Sequence, residues 1–328
     1  MKLVTFEVPT PLGPVERLGA LRGGRIVDLN RAAALLYKAR GKARPEERAN
    51  FFVPPCLLGL LDGGAEAMSE ARLALDAFRG EAWKESDVAL LAPLPRPRSL
   101  RDFFAFENHA KAGAKRRNEP LAPEWYEQPV YYKGNPRSII GPGALIPWPA
   151  FTRKLDFEFE IAAVVGTAGR DIPVGKAARH IAGYIVMNDC SARDIQRNEM
   201  VCRMGPAKGK DFATVLGPWF VTADEWSGKI PELKVRVNGK EWSRSKGAQP
   251  YWNFATMLSH ASQGEEMLPG DLLGSGTYFT GCGLDMARWI KPGDRLELDA
   301  GPLGTLKNTV GKPSGSTHLK YKRTGAYA

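Results

Sequence analysis

Between residues 154 and 166 the chain reads KLDFEFEIAAVVG. Polar and apolar positions alternate at first. On a strand, Asp156, Glu158 and Glu160 share one face, and Leu155, Phe157, Phe159 and Ile161 the other. Past Glu160 both faces are apolar, which predicts a strand running into a core. Near the N-terminus, VTFEV predicts a strand. ALRGGRIVDL predicts a hairpin turning at Gly23-Gly24. NRAAALLYKAR predicts a helix with Asn30 as its N-cap. Ala67, Ala71, Leu75 and Phe78 fall at helical spacing and predict a second helix from Ala65 to Phe78.

The pattern then breaks. APLPRPRSLRD, residues 92–102, carries Pro93, Pro95 and Pro97, which suit neither a helix interior nor a central strand. A domain boundary is expected here, between a small α+β unit (1–92) and a larger one (93–328). The second part reads as strands and turns. LKVRVNGKEW has an Asn238-Gly239 hairpin turn, and MLPGDLLGSGTYF and WIKPGDRLELDAG each place Pro-Gly-Asp before a strand. AARHIAGYIVMND begins as a helix and ends as a strand. The fold class expected is α+β, predominantly β.

Composition adds limits. Hydrophobic residues make up 43% and charged residues 25% of the 328, as in an ordinary soluble globular protein. No apolar run reaches the roughly 20 residues of a membrane span. The first residues lack the apolar core of a signal peptide, so a cytoplasmic address is expected. Four scattered cysteines, with no C-x-x-C pair, suit a reduced compartment. Lys and Arg number 46 against 36 Asp and Glu, a formal net charge of +10. The densest basic clusters, AKRRNEP (114–120) and HLKYKRTG (318–325), are not interleaved with aromatics as single-strand nucleic-acid binding would favour. A solvated surface, or attraction of a small anionic substrate, fits better than nucleic acid.

Three stretches carry candidate chemistry. Glu158 and Glu160 repel each other at the mouth of a buried strand, unless a hard divalent cation sits between them. In GYIVMNDCSARDIQ an apolar strand stops at Asp189, a candidate third ligand, before a helical turn at SARDIQ. Asp194 is left to Arg193 or to a cap, and Ser191 lacks a G-x-S-x-G context. In RDFFAFENHAKAG, Asp102 and His109 are seven apart and would share a face if the segment were helical. Of four histidines, His109 alone has carboxylates at helical spacing. Two further motifs fail. GPAKGKDF is one residue short of a P-loop, and GSGTYFTG has Phe279 where a dinucleotide fingerprint needs glycine, so it reads as a turn-rich strand connection.

LDFEFE, MNDCSARDIQ, GKDFAT and GSGT stand in the order and spacing of the fumarylacetoacetate hydrolase superfamily, which residues 93–312 resemble. The resemblance implies mixed β-sheets rolled into a barrel-like core, a divalent ion (Mg²⁺, Mn²⁺ or Ca²⁺) and a homodimer. It implies Glu158, Glu160 and Asp189 as metal ligands. It adds Asp102, matching an acid of the true fumarylacetoacetases. His109 matches their catalytic histidine, and Asp285 stands where a glutamate usually orients it. Lys210 matches a lysine near substrate or metal, and Tyr132, Gln196 and Thr277 match substrate contacts. Lys133 resembles the shorter acylpyruvate hydrolases, and Met200 and Phe104 replace tyrosines.

The chemistry these residues would perform is hydrolysis of a C–C bond in a fumarylacetoacetate-like or acylpyruvate-like diketo acid. His109 would act as base and Asp285 would orient it. Lys210, Lys133 and Arg117 would hold oxyanions. Hydration, isomerisation or decarboxylation of a 2-oxo acid uses the same metal–enolate logic. A non-catalytic Ca²⁺ holder is the bland alternative. AKRRNEPLAPEWYEQ (114–128) is a candidate lid.

Overall fold

The computed structural model describes residues 1–226 and 228–315. His318 and the basic cluster 318–325 lie outside the described residues. The N-terminal elements follow the sequence pattern closely. Strands Val15–Arg22 and Arg25–Asp28 turn on Gly23 and Gly24, both at positive φ (59° and 74°), as a two-residue hairpin turn requires. The first helix runs from Leu29 to Ala39, but its cap is Asp28, which accepts from the Arg31 amide at 3.0 Å. Asn30 lies inside the first turn instead and binds the Val53 carbonyl at 2.9 Å. The second expected helix spans Gly64–Ala77.

These residues do not close a sheet of their own. Strand Lys2–Val8 pairs antiparallel with Thr214–Thr222, matching Leu3 with Phe220. The main sheet has 12 strands. Its path runs Trp83–Lys84, Arg25–Asp28, Val15–Arg22, Lys2–Val8, Thr214–Thr222, Ile181–Asp189, Phe159–Val165, Asp271–Gly274, Ser99–Phe103 and Tyr131–Gly134. Along this path only Asp271–Gly274 and Ser99–Phe103 run parallel to each other. The mixed sheets and helices of the expected α+β fold are present, and among the described residues the ends of the main sheet do not meet, so the roll is open rather than a closed barrel. A five-stranded sheet, Lys240–Arg244, Lys234–Val237, Arg295–Asp299, Thr305–Ser314 and Leu145–Pro149, packs beside it.

The double-sided apolar run past Glu160 has a direct cause. Every residue of Phe159–Val165 is buried. Phe159, Ile161, Ala163 and Val165 face one core, shared with the smaller sheet. Ala162 and Val164 face a second core, shared with the N-terminal helices. The strand is central, and each face has its own layer.

The same second core contains Leu3, Leu29, Ala71, Ile185, Met187, Leu216 and Phe220. Because it joins residues from both parts of the chain, Phe220→Ala should cost about 3–5 kcal/mol. Urea unfolding should remain one transition, with near- and far-ultraviolet signals coincident. Two separated transitions would show that the N-terminal residues unfold independently.

Candidate active site

Three carboxyl groups end three apolar rows on one face of the main sheet. Glu160 continues Ala162 and Val164, Asp189 continues Ile185 and Met187, and Asp102 continues Leu100. Asp102 is therefore on strand Ser99–Phe103, while His109 is on helix Glu107–Arg116. The shared helical face expected for them is corrected: Asp102 is held in the sheet by pairing with Gly274 and Tyr132. Oxygens of Asp102, Glu160 and Asp189 lie within 4.8 Å of one another.

A glycine permits this convergence. Gly274 sits between Ala162 and Asp102 in the sheet. A Cβ there would lie 2.4 Å from Asp102 Oδ1 and 2.5 Å from Met187 Cε. Gly276, at φ +76°, turns its amide to Glu160 Oε2 at 2.8 Å and to Asp102 Oδ1 at 3.3 Å. GSGT was read from the sequence as a strand connection, and its role in seating two acids was missed. The signal was a glycine pair directly after a short apolar strand.

The electrostatics are demanding. Asp102, Asp156, Glu158, Glu160 and Asp189 are all buried, with only Arg193 and Lys210 as buried cations among them. Arg193 pairs with Asp156 at 2.7 Å and with Glu158 Oε1 at 2.8 Å. Lys210 pairs with Glu158 Oε2 at 2.5 Å and also with Asp189. Burial raises the Glu158 carboxyl, but the charges of Arg193 and Lys210 outweigh it and hold the group well below the usual range. Glu160 is pushed well up by burial and by the Asp102 charge. Asp102 is pushed well up by burial and by Asp189. Burial also raises Asp189, against the pull of Lys210.

This donor set fits a hard divalent cation. Glu160 Oε1 and Asp189 Oδ1 are buried without hydrogen-bond partners, a costly state for carboxylate oxygens. The three convergent groups offer oxygen only, the preference of Mg²⁺, Mn²⁺ and Ca²⁺. Glu158 stands apart from them, since both its oxygens already hold cationic side chains.

Beside the acids lies a histidine–carboxylate pair. His109 Nδ1 is 2.7 Å from Asp285 Oδ2. Arg116, two turns on along the same helix, donates to Asp285 Oδ1 at 2.9 Å. The Thr280 amide adds a third donor at 3.2 Å. Burial raises the Asp285 carboxyl, but the bond to His109 and the charges of His109 and Arg116 prevail, and it sits below its ordinary value. The shorter aspartate thus reaches the imidazole. An ionised Asp285 accepts from Nδ1–H, so in the neutral imidazole Nε2 is the nitrogen free to accept a proton.

Other candidates divide. Tyr132 donates to Asp189 at 2.8 Å. Gln196 accepts from Arg193 at 3.0 Å. Thr277 is buried and donates to the Phe159 carbonyl at 3.0 Å. Lys133 does not join them. It alternates with Tyr132 onto the other face of its strand, is 69% exposed and lies 3.8 Å from Glu265. Arg117 pairs with Glu119 instead. Within 114–128, Trp125 is buried and donates to the Phe104 carbonyl at 2.8 Å. No helix among the described residues is long and apolar enough to cross a membrane.

A family model described as fumarylacetoacetate (FAA) hydrolase C-terminal matches residues 99–311. The chain is 32% identical over 294 residues to the fumarylacetoacetase of Arabidopsis thaliana, covering 70% of this chain and 69% of that protein. It is 30% identical over 316 residues to a mitochondrial oxaloacetate tautomerase of Bos taurus, covering 94% and 91%. The solved 5-carboxymethyl-2-hydroxymuconate delta-isomerase of Mycobacterium smegmatis superposes with a TM-score of 0.65 at 27% identity, covering 95% of this chain and 99% of that one. The matched segment spans all the acids above, His109 and Asp285.

The acids make stability depend on pH and on ions together. Raised carboxyls stabilise the fold while protonated, and that contribution is lost as pH rises from their unfolded values through their folded ones. A divalent ion should therefore raise Tm strongly at neutral pH and much less near pH 4, measured by scanning fluorimetry with and without Mn²⁺. Gly274→Ala should weaken ion affinity about tenfold or more by displacing Asp102, since such overpacking costs roughly 1–3 kcal/mol. Isothermal titration checks this, and unchanged affinity would show that Asp102 is not needed.

Proposed function

The chain belongs to the fumarylacetoacetate hydrolase family, and on that premise we propose that it is a metal-dependent hydrolase of a C–C bond in a 1,3-diketo acid. The observation that carries the proposal is the His109–Asp285 pair standing beside a buried carboxylate cluster. Proton transfer and charge stabilisation are then available side by side.

Asp102, Glu160 and Asp189 would hold the ion, with Glu158 adjoining through Lys210. A divalent cation, when bound, supplies Lewis-acid polarisation of a dicarbonyl and stabilises negative charge that develops on it. The chain's own residues handle protons and orientation. His109 Nε2 takes a proton from water, and the resulting hydroxyl adds to the carbonyl carbon. Asp285 stabilises the imidazolium and keeps Nδ1 protonated. The C–C bond breaks with its electrons on the leaving carbon, which receives the proton from His109. In this reading Lys210 and Gln196 would contact substrate oxygens, and Thr277 a substrate carboxylate.

A second reading has its own support. The tautomerase relative aligns over 94% of the chain, more than the fumarylacetoacetase does. Moving a proton between carbon and oxygen of a 2-oxo acid needs the same base and the same charge stabilisation, but no attack by water. Isomerisation falls in this group; hydration, which adds water without splitting the substrate, and decarboxylation, which leaves an enolate, draw on the same charge stabilisation. Mg²⁺ as the resident ion, a homodimeric assembly and a cytoplasmic address belong to the proposal too; metal analysis, light scattering and cell fractionation check them.

Purified protein with Mg²⁺ or Mn²⁺ should consume acylpyruvates or fumarylacetoacetate, with two carboxylate products seen by mass spectrometry. Enol-to-keto conversion of oxaloacetate without cleavage of any diketo acid would replace this reading with the second. His109→Ala should lower kcat by roughly a hundredfold or more, with ion affinity intact by titration calorimetry. Full activity in that variant would remove His109 from the mechanism.

A further inference from the structure

Asp156 precedes Glu158 by two residues and is completely buried (0% exposed). It belongs neither to the three convergent acids nor to the histidine pair. Its oxygens are nonetheless fully used. Oδ1 accepts from the amides of Phe157 at 2.9 Å and Gly283 at 2.8 Å. Oδ2 accepts from the Leu284 amide at 3.0 Å and from Arg193 Nε at 2.8 Å. The second guanidinium nitrogen, NH2, lies 2.7 Å away.

Two of these donors are consecutive amides, and the residue that follows them is Asp285. A carboxylate that holds Gly283 and Leu284 therefore dictates where the next side chain begins. The contact leaves little slack. A Cβ on Gly283 would fall 2.4 Å from Asp156 Oδ1 and 2.3 Å from the Arg288 carbonyl. The segment has other ties on both sides: Phe159 donates to the Gly281 carbonyl at 2.9 Å, Glu158 bridges to Cys282, and the Arg288 amide donates to the Gly283 carbonyl at 3.0 Å. Arg193 extends the connection, since it also reaches Glu158 Oε1.

We propose that Asp156 is a positioning residue: it sets the register of residues 281–285 and so holds Asp285 on His109 Nδ1. The inference rests on His109 being the proton carrier described above. Asp156 touches no reacting atom in this scheme and acts wholly through Asp285. Its absence from the group of convergent acids is a second distinguishing mark, because it should influence proton transfer without supplying a ligand to the ion.

Asp156→Asn keeps the shape but turns an amide NH₂ toward groups that can only donate. In the ion-loaded enzyme, kcat should fall by roughly a hundredfold, the scale of a misplaced catalytic group, with KM and ion affinity unchanged. Asp285→Asn should cost a similar factor, and Asp156→Asn/Asp285→Asn no more than Asp285→Asn alone, as expected when one residue acts through the other. Additive losses, or a parallel loss of ion affinity, would overturn the proposal.

A spectroscopic arm is independent of turnover. The downfield proton resonance of His109 Nδ1–H bonded to Asp285, assigned by its absence in Asp285→Asn, should vanish or move in Asp156→Asn. Gly283→Ala should do the same by pushing the segment off the carboxylate, and it serves if Asp156→Asn does not fold. If no diketo acid is cleaved but the resonance depends on Asp156, the proposed reaction fails and the positioning role stands. A resonance unchanged in the folded variants would end the positioning role whatever the activity.

Discussion

An excess of buried negative charge organises this molecule. Around the site, Asp102, Asp156, Glu158, Glu160 and Asp189 lie out of water beside Arg193 and Lys210. Isolated charges in such a place cost several kcal/mol each, so every one must find a partner, a proton or an ion. The chain answers with an alternating series: Asp156, Arg193, Glu158, Lys210 and Asp189 follow one another by ion pairs. Asp102 and Glu160 lie beyond its end, close to Asp189 and without a cation of their own. The site is thus split by charge balance into a neutralised part and a part that remains acidic.

The fold supports that split by simple means. Strands with both faces buried bring the three carboxyls together on a diagonal: Asp102 is level with Ala162 across Gly274, Glu160 is level with Met187, and Asp189 lies two positions further on. Gly274 supplies the missing volume, and Gly276 supplies an amide at the open end. The N-terminal strands and helices matter here although they contribute none of the acids. They cover the face from which Glu160 and Asp189 project, and so remove the water that would otherwise screen them.

In the proposed mechanism, proton handling falls on different elements from ion binding. His109 stands on a helix, and Asp285 on a short turn after the glycine-rich connection. Asp285 is satisfied by an imidazole, a guanidinium and an amide, which lower its carboxyl, whereas burial raises those of Asp102, Glu160 and Asp189. Opposite shifts among neighbouring carboxyls separate base-supporting and ion-seeking roles. The chain resembles a fumarylacetoacetase and an oxaloacetate tautomerase at similar identity, 32% and 30%.

Much of this was legible along the chain. The hairpins at Gly23-Gly24 and Asn238-Gly239, the strand into the core after Glu160, and the strand ending at Asp189 follow from period and turn chemistry, which act over a few residues. The seven-residue separation points to Asp102 and His109, and the family resemblance implies Lys210 and Asp285. Other features depended on distant contacts. Asn30 looked like a cap, but Arg17 and the helix start drew Asp28 into that place. Lys133 looked like a substrate contact, but strand pairing turned it outward. Asp156 shared a face with the two glutamates on paper, yet it is claimed by amides 127 and 128 positions away. His109 and Asp285 meet across 176 positions. Local sequence determined which segments are strands, helices and turns, because those preferences are settled by neighbours. Which acid keeps a cation and which remains exposed to its fellows was decided only by tertiary packing, because Coulomb energy depends on distance in space and on the water excluded around it.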